Sequence, residues 1–240
     1  MIPRSVSAPS REFVLGMRDV IPLVLGAIPF GILFGVIALT AQMPWWATQA
    51  MSAFVFAGSA QFIGAGMLAA GVAYPLIVLT TFVVNLRHAL YGASVAEYLR
   101  GLPQTWRALL AFGMTDESFV VAIVHYRDSA RDGLASLKHW YFLGANLGLF
   151  VPWQIATAVG FSLGSALGDP LALGFDFAFP VACIAMVIPQ LKSRIDLTSA
   201  LVAAVSAVLL LGLPSKLGLL LAIGVGILVG IGLEEWKSHS

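Results

Sequence analysis

Charge is what this chain has least of. Only 10% of its 240 residues are Asp, Glu, Lys or Arg, against roughly 25% in a soluble domain. With 59% hydrophobic residues and a mean hydropathy of +0.92, it does not lack a core; it lacks an outside that water can wet. A formal net charge of +1 supplies no basic field for nucleic acid. The single cysteine, Cys183, excludes an internal disulfide and any CxxC metal site. The chain has no Gly-rich phosphate loop, no HExxH and no nucleophile elbow, so no enzyme activity and no cofactor are expected. An intramembrane protease would need paired catalytic groups, and nothing in the spacing of Ser59 and His88 supports one.

Apolar runs take the place of the missing charge. About seven or eight of them approach or exceed the roughly 20 residues that cross a hydrocarbon layer. The expected fold is an all-α polytopic membrane protein with kinked or broken helices. A polar segment, residues 1–18 with Arg4, Arg11 and Arg18, has the character of a cytoplasmic end. Residues 19–234 form the transmembrane domain and 235–240 a cytoplasmic tail. The first run, Val20 to Ala41, is too long for a signal-peptide core and is read as a retained span. It carries Pro22 and Pro29, and Pro29 is expected to kink or break the helix.

The second run, Ala47 to Ala70, centres on Phe56-Ala57-Gly58-Ser59-Ala60-Gln61-Phe62. Small residues there suit either a tight helix contact or a backbone break that turns helix-end amides toward a ligand. The third run holds Asn85-Leu86-Arg87-His88 in the middle of apolar sequence from Tyr74 to Ala96. A charge at that depth costs about 2.5–3.5 kcal/mol on insertion scales, so Arg87 needs a partner or a wet cavity. The fourth run offers one in Thr115-Asp116-Glu117-Ser118. Asp116 and Glu117 stand about 100° apart on a helix, so one of them, not both, should face Arg87. The fifth run, Trp140 to Leu167, contains Asn146, Pro152, Trp153 and Gln154, and the sixth, Leu171 to Leu191, contains Asp176, Pro180 and Pro189. Two short runs, Leu197 to Leu213 and Leu217 to Leu233, close the chain.

With eight runs and both termini inside, most basic residues fall in the cytoplasm, leaving Arg100, Arg107 and Lys216 outside. If runs two and four are both re-entrant, Arg100 and Arg107 move inside as well, and the charges fit the positive-inside rule slightly better. Aligning Pro29-Phe30 with Pro152-Trp153 also brings Phe54 onto Phe177 and Phe56 onto Phe179. That is a weak internal repeat of the kind transporters carry, with substrate bound at the repeat interface.

Arg87 with Asp116 and Glu117 makes a site for a zwitterion: guanidinium toward a carboxylate, acid toward an ammonium or a coupling proton. The other reading is an ion pair that only satisfies itself. Ser59, Gln61 and Asn85 add hydrogen bonds, His88 offers a proton relay, and Gly58 and Pro29 supply non-helical backbone. Phe54, Phe56 and Phe62 are candidates for an apolar side-chain pocket.

These same residues carry a resemblance. Leu25-Gly26-Ala27-Ile28-Pro29-Phe30-Gly31, Gly58-Ser59-Ala60-Gln61-Phe62, Asn85-Leu86-Arg87-His88-Ala89-Leu90-Tyr91 and Thr115-Asp116-Glu117 together resemble the AzlC family of bacterial branched-chain amino acid permeases. That family is tied to azaleucine resistance and includes the larger subunit of a valine exporter. The resemblance covers the chain from about Phe13 to Leu233. It implies efflux of leucine, isoleucine, valine or close analogues across the bacterial inner membrane, and a small hydrophobic partner of the AzlD type. No site residue is carried over from the family. A membrane channel or structural subunit without active transport is the alternative reading.

Overall fold

The computed structural model describes residues 8–131, 137–166, 193–213 and 217–239, with single positions 184, 188 and 191. The sixth run, with Asp176, Cys183 and the Phe177 and Phe179 half of the repeat, lies outside the described residues apart from those positions. The described residues are helical, without strands. Helix α1 is Pro9–Thr40, α2 Trp45–Phe54, α3 Gly58–Ala69, α4 Tyr74–Asn85, α5 Arg87–Leu99, α6 Gln104–Phe112, α7 Asp116–Arg131 and α8 Lys138–Ala166. Helices α9 (Arg194–Leu209) and α10 (Leu217–His239) follow.

Three stretches among the described residues are long and apolar enough to cross a membrane: Pro9–Thr40, Tyr74–Leu99 and Lys138–Ala166. At 1.5 Å per residue, the 29 residues of α8 extend about 44 Å, more than the hydrocarbon thickness of about 30 Å. Helices α1 and α8 form the spine. They run parallel: Gly144 lies against Phe13, Gly148 against Met17 and Val20, Gly160 against Ile32, and Gly164 against Val36 and Leu39. Glycines on both sides let the backbones touch, which is how helices associate when lipid removes the hydrophobic drive between them. These are the two proline-bearing helices of the suspected repeat. However, α1 continues as helix through Pro22 and Pro29. The break expected at Pro29 does not occur, and Pro29 is exposed in helical backbone, so it supplies no non-helical segment.

The second run does break, at Val55-Phe56-Ala57 between α2 and α3. Its first half runs antiparallel to α8: Trp45 meets Phe161, the Ser52 and Thr157 hydroxyls pair at 2.9 Å, Gln154 Nε2 donates to the Ser52 carbonyl, and Phe56 meets Phe150. Its second half returns along α1, with Phe62 against Phe30 and Phe34 and then Ala65 in a cluster with Ile37, Ala38 and Ala41. The pair α2–α3 is therefore a hairpin that enters and leaves at the Thr40 end.

The fourth run is its counterpart from the opposite end. Helix α6 climbs α8, with Trp106 against His139 and Trp140, then the Leu110 carbonyl accepting from Asn146 Nδ2 at 3.0 Å. After Gly113-Met114-Thr115, α7 descends: Val121 packs beside Ala145, His125 stacks flat on Tyr141 at 3.7 Å, and the Tyr126 hydroxyl donates to the Lys138 carbonyl. Tyr141 donates in turn to Asp19 at 2.8 Å, and His125 lies 3.5 Å from Glu12, tying α1, α7 and α8 together at this end.

Helices α4 and α5 join the two hairpins. Here the expected single span is interrupted only at Leu86, where hydrogen bonds tighten to i→i−3 (Leu86 N to the Val83 carbonyl, Ala89 N to that of Leu86), a short 3₁₀ geometry. Helix α4 packs on α3, and α5 packs on the α6–α7 hairpin through Tyr91, Val95 and Leu99. The other side of this stretch exposes Val78, Leu79, Phe82, Val83, Leu86 and Leu90, a face suited to lipid. Helices α9 and α10 form an antiparallel pair, with Gly226 against Ala203 and Gly230 against Ser199.

Candidate functional site

Three interruptions meet near the middle of the spine. The tip of the α2–α3 hairpin, the tip of the α6–α7 hairpin and the Leu86 turn each start a new helix there, and each new helix carries a polar residue in its first turn. Arg87 opens α5 and Asp116 opens α7, while Ser59 is the second residue of α3. Arg87 Nη1 lies 3.0 Å from Asp116 Oδ2, and Nη2 donates to Ser59 Oγ at 2.8 Å. The guanidinium thus holds both hairpin tips at once. Of the two adjacent acids, Asp116 is the partner; Glu117 makes no ion pair or hydrogen bond among the described residues.

The sequence produces these interruptions by different means. At the first tip Phe56 takes a left-handed conformation, φ 40°, uncommon for a bulky residue. It is buried, and its ring is clamped by Phe150 at 4.9 Å. The Ala57 that follows is extended and offers α3 no side-chain cap, so the first amides of α3 keep their donors. The second tip is capped from within. Thr115 N–H donates to Ser118 Oγ at 2.9 Å, and Ser118 N–H to Thr115 Oγ1 at 3.3 Å, a reciprocal cap like the capping box. Both residues are buried. Ser118→Ala removes one half of the cap and leaves the buried Thr115 N–H without its acceptor, expected to cost about 1–3 kcal/mol. Thermal unfolding in detergent reads this directly; an unchanged melting temperature would show that the α6–α7 tip does not depend on the cap.

The cluster retains bonding capacity. Arg87 Nε, Asp116 Oδ1 and Asn85 Oδ1 are buried without a hydrogen-bond partner. Gln61, 0% exposed with both amide atoms also unpartnered, stands about 200° round α3 from Ser59 and so faces away from Arg87. Buried polar atoms in protein interiors are rarely left so, and in a membrane the cost is higher still. His88 is turned away: its Nδ1 faces the Asn85 carbonyl at 3.1 Å, and its ring meets Tyr91 edge-on. Gly58 lies at the tip, against the Trp153 ring. Of the expected apolar pocket, Phe56 and Phe62 are buried but Phe54 is 75% exposed and does not line the core.

Two neighbours went unassigned from sequence. Tyr91 stacks on Phe119 at 4.4 Å and 14° and brings its phenol close to Asp116. Its position one turn beyond Arg87 was the available signal. Trp153 was visible only as part of a proline-aromatic pair.

Together these features define a class: a multi-pass helical membrane protein whose charged cluster sits where two opposed hairpins meet. The chain belongs to the AzlC family. The description "AzlC protein" matches residues 22–167, which contain both hairpins, Arg87, Asp116 and most of the spine. The chain is 30% identical over 234 residues to the inner membrane protein YgaZ of Escherichia coli (strain K12), covering 95% of this chain and 93% of that protein. It is 30% identical over 171 residues to the branched-chain amino acid transport protein AzlC of Bacillus subtilis (strain 168), covering 71% and 64% respectively. An uncharacterized membrane protein of Archaeoglobus fulgidus shares 28% identity over 187 residues, 77% of this chain and 78% of that one. No solved structure matches. The chain is thus an inner-membrane protein with a homologue in amino acid transport.

Proposed function

We propose that this chain is a secondary transporter that exports valine, leucine, isoleucine or close analogues from the cytoplasm, together with a small AzlD-type membrane subunit. The observation that carries this reading is the central cluster, with Arg87 tying both hairpin tips and buried bonding capacity of both signs left over. The donors are Arg87 Nε and the uncapped first turn of α3; the acceptors are Asp116 Oδ1 and Asn85 Oδ1. An α-amino acid presents the complement on adjacent atoms, a carboxylate and an ammonium. Half-helix N-termini near the bilayer midplane are a recurring means of holding an anionic group in transporters. Gly58 and Ser59 shape the tip, while His88, Glu117 and Pro29 have no contact that recommends them.

Orientation follows from charge. Arg11, Arg18, Arg100, Arg107, Arg127, Arg131 and Lys138 all belong to the α1 N-terminal end, whereas the turns at residues 41–44 and 70–73 carry no charge. By the positive-inside rule the first end is cytoplasmic, with residues 1–18 on that side. The α6–α7 hairpin then faces the cytoplasm and α2–α3 the far side, so that each bars one route to Arg87. Movement of one hairpin at a time would give alternating access, driven by the proton gradient.

Efflux of radiolabelled valine and leucine from preloaded cells, with and without the partner subunit, tests the reading. Saturable efflux with counterflow is expected. Flux without saturation or counterflow would mark a channel, and no flux in any combination a structural subunit.

A further inference from the structure

We propose that Trp153 is a substrate-positioning residue of the central cluster, its indole N–H donating to the carboxylate of the bound amino acid. This rests on the transport reading above. Trp153 lies on α8 with only 8% exposure, and its Nε1 has no hydrogen-bond partner. Tryptophan has one polar atom, a donor, and when buried it ordinarily finds an acceptor.

The orientation of the ring shows where that donor is directed. The indole lies between two glycines. A Cβ built on Gly31 of α1 would meet Cε3 at 3.5 Å, and one built on Gly58 would meet Cη2 at 3.3 Å and Cζ2 at 3.8 Å. Cζ2 is bonded to Cε2, the atom that carries Nε1, whereas Cε3 is on the opposite edge. The flank of the ring that carries the N–H is therefore the one facing the α2–α3 tip, with the benzo atoms Cη2 and Cζ2 nearest Gly58. The next residue there, Ser59, receives the Arg87 hydrogen bond. Phe150, one turn earlier on α8, clamps Phe56, so one face of α8 both holds the tip and sends a donor toward it. Donors without a partner stand on three elements around this tip: the first amides of α3, Arg87 Nε on α5 and the indole N–H on α8. The ligand group that satisfies them is an anion, while Asp116 on the far side of Arg87 serves the ammonium. The two glycines give the indole its slot.

The test uses the full chain with its partner in proteoliposomes. Valine transport is measured beside inhibition by valinamide, which keeps the ammonium and side chain but lacks the carboxylate. Trp153→Phe retains an aromatic ring between Gly31 and Gly58 and deletes the N–H. Its KM for valine is expected to rise about tenfold, the worth of one hydrogen bond to a charged group, with unchanged maximal rate and unchanged valinamide inhibition. Gly58→Ala, which presses on the ring while leaving the N–H in place, should also raise the valine KM. Equal losses for valine and valinamide, or no loss for either, overturn the proposal while leaving transport intact. Absence of amino acid transport in the wild type overturns instead the reading on which it rests.

Discussion

Arg87→Ala is expected to abolish valine and leucine efflux in protein that still reaches the membrane. The guanidinium makes two charge-assisted contacts, to Asp116 and Ser59, and its Nε has no partner, leaving it open to a third. Each hydrogen bond to a charged group is worth about 1.5–3 kcal/mol, so losing the ligand contact alone corresponds to roughly ten- to a hundredfold in affinity. Arg87→Lys should fail nearly as badly, because an ammonium cannot span two partners as the planar fork does. Asp116→Asn should impair transport while leaving a side chain of similar shape. The decisive comparison is the double variant Arg87→Met with Asp116→Leu. A pair that served only itself could be replaced by apolar residues with little loss, or with a gain. Restored stability with restored efflux would therefore reduce the cluster to a structural ion pair. Restored stability without efflux is the expected result.

Gly160→Ala should be among the most damaging single methyl groups that could be added to the spine. The added Cβ would collide with the Ile32 backbone carbonyl, and the same crossing sets Gly35 against the Thr157 carbonyl. Backbone cannot turn aside as a side chain can, so α1 and α8 must separate. Overpacking of this kind costs about 1–3 kcal/mol when side chains can shift, and more is expected where they cannot. Gly92→Ala is the control. It is a helical glycine with nothing near its missing Cβ, and alanine there should be neutral or stabilising by up to about 1 kcal/mol. Monodispersity and melting temperature in detergent compare the two. Equal behaviour would mean that the spine does not depend on backbone contact.

Much of the architecture is legible in the amino-acid sequence. Low charge and long apolar runs require a membrane, because only lipid matches such a surface. Arg87 identifies itself, since an intramembrane cation is too costly to be incidental, and acids in a neighbouring run identify its source of partners. The small residues around Gly58 allow the break that the structure places beside them.

Other features depend on contacts between segments distant in sequence. Hydropathy counts an apolar run alike whether it crosses or turns back. Only packing along α8, antiparallel for α2 and parallel for α6, distinguishes hairpins from spans. Pro29 resembles a breaker, yet α1 continues through it while Phe56, with no breaker character, turns the chain because Phe150 and Trp153 close around the tip. The choice of Asp116 over Glu117 rests on the 100° between adjacent helical residues, fixed only when the Ser118 cap sets the start of α7. Composition and periodicity thus determined the solvent, the helices and the one charge that needed an answer. Tertiary structure decided which partners answer it, because a buried charge is satisfied by geometry in space and not by nearness in the chain.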